Sequence, residues 1–252
     1  MRGDEPLSAA EAESLLQWWN DAGVDCLVDE SPRDWLRTAP SPSASYEARG
    51  PLHHPTDGPP PRSGEERVLP DQLELFRSWL ATDEALPFAA PAAPRVCPSG
   101  DPASGLMMLT DMPNSADCSA GVLLSGQTGA LFDRMLAAIG RDRESIYLAA
   151  LSCLRSTSGG FTNDSAAQCA ALARHHIGLA QPKAVLLLGD ACAKALLGLS
   201  VIQARGRWHS ISTPAGEIAA LASFHPSYLL EQPAAKARAW ADLQMLSERL
   251  GS

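Results

Sequence analysis

Leu221-Ala222-Ser223-Phe224-His225-Pro226-Ser227-Tyr228-Leu229-Leu230 decides how this chain is read. An apolar run ends on a histidine, a proline stops the strand, and two leucines follow at the start of a loop. Proline has no N–H to give a sheet and biases the preceding residue toward extended backbone. His225 should therefore stand at the carboxyl end of a strand, its imidazole pointing out of the sheet. Open α/β sheets place their ligand sites at that edge. A lone histidine is more often structural than catalytic, so its surroundings have to carry the argument.

Working outward, strands and helices alternate. Apolar runs predict strands at 106–110, 146–151, 185–188 and 218–224, and helical spacing predicts helices at 129–139, 165–179, 191–197 and 234–250. The strand runs are too continuous for a solvated face, which implies a mainly parallel sheet covered on both sides. The expected fold is a three-layer αβα sandwich with a four-stranded sheet and helices on both faces. With right-handed crossovers all strand ends point one way. Four loops then meet at one edge: 111–117, 152–160, 189–190 and 225–230.

Ahead of this region, Leu75, Phe76 and Trp79 predict a helix over 73–80, and residues 86–104 read as a Pro/Ala-rich loop. Ser8 and Glu11 form a capping-box pattern opening a short helix, which either docks on the main domain or recruits a protein partner. Residues 37–70 are rich in Pro, Ser and Gly and read as a linker. The expected organisation is an N-terminal helix in 1–30, a disordered linker in 31–71 and one domain over 72–252.

Charge divides along the same line. The net charge of −9 belongs to the first 100 residues, because residues 101–252 hold 12 basic and 12 acidic side chains. A neutral domain lacks the basic footprint of a general nucleic-acid binder, though a local patch remains open to it. No apolar run approaches a membrane span and the acidic N-terminus has no signal-peptide core, so a cytoplasmic location with no membrane partner is the expectation. The six cysteines (26, 97, 118, 153, 169 and 192) show no C-x-x-C pair and read as reduced and structural.

His225-Pro226-Ser227-Tyr228-Leu229-Leu230 resembles the last motif of the uracil-DNA glycosylase superfamily, most closely its family 4 type. Gly126-Gln127-Thr128-Gly129-Ala130-Leu131-Phe132-Asp133-Arg134-Met135-Leu136 resembles the helix after the first motif, and Arg143–Leu148 the entry to the second strand. Pro182-Lys183-Ala184-Val185-Leu186-Leu187-Leu188-Gly189-Asp190-Ala191-Cys192 resembles the next strand and helix start. Lys236 and Trp240-Ala241-Asp242-Leu243 match the closing helix. The ordered set covers roughly residues 72–250.

The resemblance implies excision of a base from DNA. Breaking an N-glycosidic bond leaves positive charge on the sugar and negative charge on the base. Such a site calls for a carboxylate, a donor to the base, a reading amide and an aromatic platform. Where the family's first motif reads Gly-Glu-Ala-Pro-Gly, this chain has Thr110-Asp111-Met112-Pro113-Asn114. Asp111 then either stabilises charge or positions a water, or else caps a loop or helix; Met112 and Pro113 border the base pocket. The stacking aromatic falls at Leu124 and the reading asparagine at Ala150, so uracil specificity should suffer. His225 is kept. Tyr228, Leu229 and Leu230 stand as the DNA wedge, followed by Glu231 where a basic residue is common.

The family often holds an iron-sulfur cluster on four cysteines. Only Cys153 and Cys169 match ligand positions, so the expectation is a domain without the cluster or any other cofactor. Three functions stay open: a divergent glycosylase acting on single-stranded or lesion-containing DNA, a catalytically impaired DNA-binding or scaffold protein, and a domain binding another small ligand.

Overall fold

A computed structural model of the chain describes residues 69–157 and 159–251. The expected N-terminal helix and nearly all of the linker lie outside the described residues. The first described helix, α1 (Leu73–Thr82), buries Phe76 and Leu80.

The α/β sandwich follows: β1 (Ser99–Gly100), β2 (Leu106–Thr110), α2 (Ser115–Ala120), α3 (Gly126–Ala138), β3 (Tyr147–Ala150), α4 (Asn163–Ala180), β4 (Ala184–Leu188), α5 (Asp190–Leu197), α6 (Val201–Ala204), β5 (Trp208–Thr213), β6 (Gly216–Ser223), α7 (Pro226–Glu231) and α8 (Lys236–Leu250). The sheet has six strands in the order β1-β3-β2-β4-β6-β5. The four expected strands pair in parallel at its centre, with Met108 opposite Leu148 and Leu186, and Leu186 opposite Leu221.

The expected count of four strands is corrected by the two edges, where β1 and β5 pair antiparallel. Neither offers an apolar run: β1 has two exposed residues, and β5 buries only Ile211, between the exposed Ser210 and Ser212. Half-exposed polar edges of this kind also discourage pairing with another sheet.

Alternation along the strands divides the core into two layers. Met107, Leu109, Tyr147, Val185, Leu187 and Ala222 pack with Cys169, Ile177 and Leu196 of α4 and α5. Leu106, Met108, Leu148, Leu186 and Leu221 pack with Phe132, Leu136 and Leu243 of α3 and α8. Successive side chains of a strand face opposite ways, so strands sandwiched between helices are apolar at nearly every position, with Thr110 and Ser223 at the ends of β2 and β6 as buried polar exceptions. Each such buried leucine or methionine contributes roughly 1.5–3 kcal/mol.

The segment after His225 is helical rather than a loop. Pro226 occupies the first turn of α7, where a missing N–H costs nothing, and His225 is its N-cap. The wedge residues separate as a result. Tyr228 and Leu230 project with 41% and 39% exposure, whereas Leu229 is 1% exposed and belongs to the core.

Candidate active site

His225 stands where the sequence puts it, just past the end of β6. The backbone N–H of Ser227 donates to its Nδ1 at 3.2 Å, and the Ser227 hydroxyl lies 2.7 Å from the same atom. A backbone N–H can only donate, so Nδ1 carries a lone pair and the ring proton of the neutral imidazole sits on Nε2. That Nε2–H points at Thr110 Oγ1, 3.0 Å away, and Thr110 Oγ1 in turn donates to Asp111 Oδ1 at 3.3 Å. His225 Nε2 and Asp111 Oδ1 are 3.9 Å apart, too far for a direct hydrogen bond. The last strand is thus coupled to the end of β2 through one hydroxyl.

Burial pulls the His225 pKa below the ordinary histidine value, and the negative charges of Asp111 and Asp117 oppose it without prevailing. The ring is neutral at neutral pH: a proton donor through Nε2 that carries no charge of its own. Gly189 makes room for it. Its φ is +93°, and a Cβ there would lie 3.0 Å from His225 Cβ.

The loop carrying Asp111 is fastened from below by Asp117, which is 2% exposed. Its carboxylate accepts from the N–H of Asn114 at 3.1 Å, from the N–H of Ser125 at 2.7 Å and from the Ser125 hydroxyl at 2.6 Å. Asn114 Oδ1 accepts from Asp117 N–H at 2.9 Å, completing a capping box on α2. Asp111 itself stays accessible, its side chain 41% exposed.

Beside Asp111, on the α4 and α5 side of the sheet, lies a cleft of about 610 Å³. Its wall includes Met112, Phe161, Asn163, Asp190 and Lys194. Lys194 and Asp190 pair at 2.5 Å, and Asp190 also accepts from Val201 N–H at 2.9 Å. The volume lies within the range of sites that enclose small molecules.

The other expected base-pocket residues lie elsewhere. Pro113 is buried under the loop. Leu124, at φ +52°, is 2% exposed among Leu123, Phe132 and Leu136, and its carbonyl accepts from Arg143 at 2.6 Å. Ala150 borders a different, small void. Neither Leu124 nor Ala150 is among the residues lining the cleft. Thr110, Asp117, Ser227, Phe161 and Asn163 were not singled out from the sequence. The Asn-x-x-Asp spacing of residues 114–117 could have revealed Asp117 as a cap; nothing in sequence announces the others.

The same small void borders the two cysteines that match cluster-ligand positions. Cys153 and Cys169 both line it, but its volume is about 20 Å³, room for about one water. Burial pushes the Cys153 thiol up to about 11 and the Cys169 thiol up to about 12. Cys153 Sγ donates to the carbonyl of Leu80 at 3.4 Å, and Phe76, Leu80 and Leu86 fill the space around it. Two cysteines supply half of the four thiolates that such a cluster takes.

On the opposite side of α7, Arg134 and Lys236 flank an apolar groove of about 180 Å³ floored by Leu131, Met135, Leu229 and Trp240. These basic side chains lie beside the helix that presents Tyr228 and Leu230. Among the described residues no helix is long and apolar enough to cross a membrane.

A central parallel sheet with a histidine at one strand end and a carboxylate at another matches a known class of DNA-acting domain. Residues 97–244, more than half of the chain, match the Uracil DNA glycosylase superfamily, and the chain belongs to that family. A DNA glycosylase-like function in general follows from that membership.

Proposed function

We propose that this protein is a divergent, family 4-like DNA glycosylase that hydrolyses the N-glycosidic bond of an extruded base in base excision repair. The observation that carries the reading is the Nε2–H of His225, held 3.0 Å from Thr110 Oγ1 beside the accessible Asp111 carboxylate. As the bond from C1′ to the base nitrogen loosens, positive charge grows on the sugar and negative charge on the base. Asp111 stabilises the first or aligns the attacking water. His225 turns its Nε2–H from Thr110 to a carbonyl oxygen of the leaving base. Water then delivers hydroxide to C1′ and a proton to the base.

A neutral imidazole suits this step, because it donates to a developing anion without first needing to be charged. DNA is the partner, bound through unpaired or damaged positions where flipping costs least. Tyr228 and Leu230 are the side chains of α7 able to enter the gap, with Arg134 and Lys236 placed for phosphates that Glu231 would repel. The domain works without the family's cluster, in the cytoplasm. The test is a strand-cleavage assay across single-stranded, mismatched and lesion-bearing oligonucleotides, uracil included. Excision of at least one base supports the reading; tight binding without any excision favours a DNA-binding scaffold.

A further inference from the structure

We infer that the groove between α3 and α8 holds a base of the unpaired strand beside the extruded nucleotide, stacked on Trp240, with Arg134 and Lys236 on the flanking phosphates. This rests on the glycosylase reading for DNA as the partner, but it is a separate statement about which part of the DNA is held and by what.

Trp240 is 41% exposed, and its indole has no ring contact among the described residues. The other two described tryptophans are engaged. Trp79 stacks on Phe76 at 5.5 Å between centroids, and Trp208 lies beneath the Arg249 guanidinium, 4.6 Å from the ring centroid. Beside the Trp240 indole, half-buried Leu131 and Met135 and the core residue Leu229 complete an apolar surface. Aromatic platforms flanked by cations are how single strands are held without regard to sequence, because every base has a face that stacks.

The charges fit the same ligand. Arg134 and Lys236 are exposed at the groove, and neither has a hydrogen-bond or ion-pair partner among the described residues. The nearest carboxylates are engaged or set apart. Asp133 pairs with Arg143 at 2.6 Å, Asp242 is buried against Arg205, and Glu248 lies about two turns beyond Trp240 on α8. Glu231 ends α7 and does not line the groove. The rim is therefore cationic over an apolar floor.

That floor selects an unpaired strand over a duplex. In a duplex the base faces are stacked on one another, so the groove would meet only sugar and phosphate, which gain nothing from apolar contact. An unpaired strand can turn a base face into it. The position is also continuous with the rest of the DNA path: Leu229 is part of α7, the helix whose Tyr228 and Leu230 project toward the gap.

The probe is a fluorescein-labelled oligothymidylate of about 12 nucleotides, free or annealed to its complement. It is titrated into the full chain and read by anisotropy over a series of salt concentrations. The free strand should bind about ten-fold more tightly than the duplex. Trp240→Ala should weaken the free strand about ten-fold, and Trp240→Phe, which keeps an aromatic face, should recover most of that loss. Arg134→Gln and Lys236→Gln should each flatten the plot of log affinity against log salt by about 0.7, the increment for one phosphate of a single strand. Lys183→Gln, just before β4 at the opposite edge of the sheet, should leave that slope unchanged. Cooperative melting near the parent controls for folding. No binding of the free strand, equal binding of the duplex, or groove variants that keep the parent's affinity and slope would overturn the inference and leave the groove to a protein partner. Weakened binding by the groove variants of a parent that excises nothing would uphold this inference and sink the glycosylase reading. Unaltered binding by the groove variants of a parent that excises a base would do the reverse.

Discussion

His176 should make the fold acid-sensitive in a way that can be measured at one side chain. It is 3% exposed, meets Tyr147 Oη at 2.8 Å through Nε2 and packs on Phe76 at 5.2 Å between centroids. Burial, reinforced by the positive charges of Arg77 and His175, pushes its pKa down to about 3. In the unfolded chain the value returns to about 6.5. The native state therefore binds fewer protons than the unfolded state between those values. Stability is complete above the unfolded pKa and is lost as pH falls toward the folded one. The full span corresponds to about 5 kcal/mol, of which about 2 kcal/mol is gone by about pH 5. Urea unfolding of the parent and of His176→Gln, at about pH 7.5 and about pH 5, isolates the effect. The substitution should cost about 1–2 kcal/mol at the higher pH through packing and the altered hydrogen bond. Between the two conditions the parent should lose about 2 kcal/mol more than the variant. Equal losses would refute the argument that a buried neutral imidazole sets the acid limit.

Two further substitutions bear on how the site is held. Asp242 is fully buried, accepts from Arg205 Nε at 3.2 Å and Nη2 at 2.9 Å, and from the Ser223 hydroxyl at 2.8 Å. Asp242→Ala should cost about 3–5 kcal/mol in urea unfolding because it strands Arg205, while Asp242→Asn, which keeps an acceptor for Ser223, should cost less. Gly189→Ala adds a Cβ 3.0 Å from His225 Cβ at a φ of +93°. It should lower excision by up to about 100-fold through displacement of the imidazole, measured at a temperature where the melting curve shows the variant folded.

Continuous apolar runs made the four central strands legible, because a strand buried on both faces is apolar at nearly every position. The same reasoning overlooked β5, whose Trp208, Ser210 and Ser212 face partly to solvent on an antiparallel edge. His225 was legible because Pro226 fixes where the strand must stop. The same proline also opens α7, and that second role decided the wedge: one turn of helix carries Leu229 into the core and leaves Leu230 outside. Asp111 was placed by its position after the first long strand. Thr110 was not, since a threonine ending a strand looks like any β-branched residue until the opposite histidine is in place. Phe161 and Asn163 were hidden for a related reason. They come from the entry to α4, and only the packing of α4 against α5 brings them to a space shared with Asp111.

The most direct measurement is single-turnover excision by His225→Ala and Asp111→Ala on whichever oligonucleotide the parent cleaves best. The imidazole donor and the carboxylate each act on charge that appears only as the bond breaks, so each is worth about 10²–10³ in rate. Each variant should lose activity on that scale and still melt cooperatively near the parent. The parent's rate should hold through neutral pH and fall in acid as His225 becomes protonated, because a cationic ring releases the N–H of Ser227 and disturbs the N-cap that aims Nε2. Undiminished rates in both variants would contradict the account and place the chemistry outside the pair at the ends of β2 and β6.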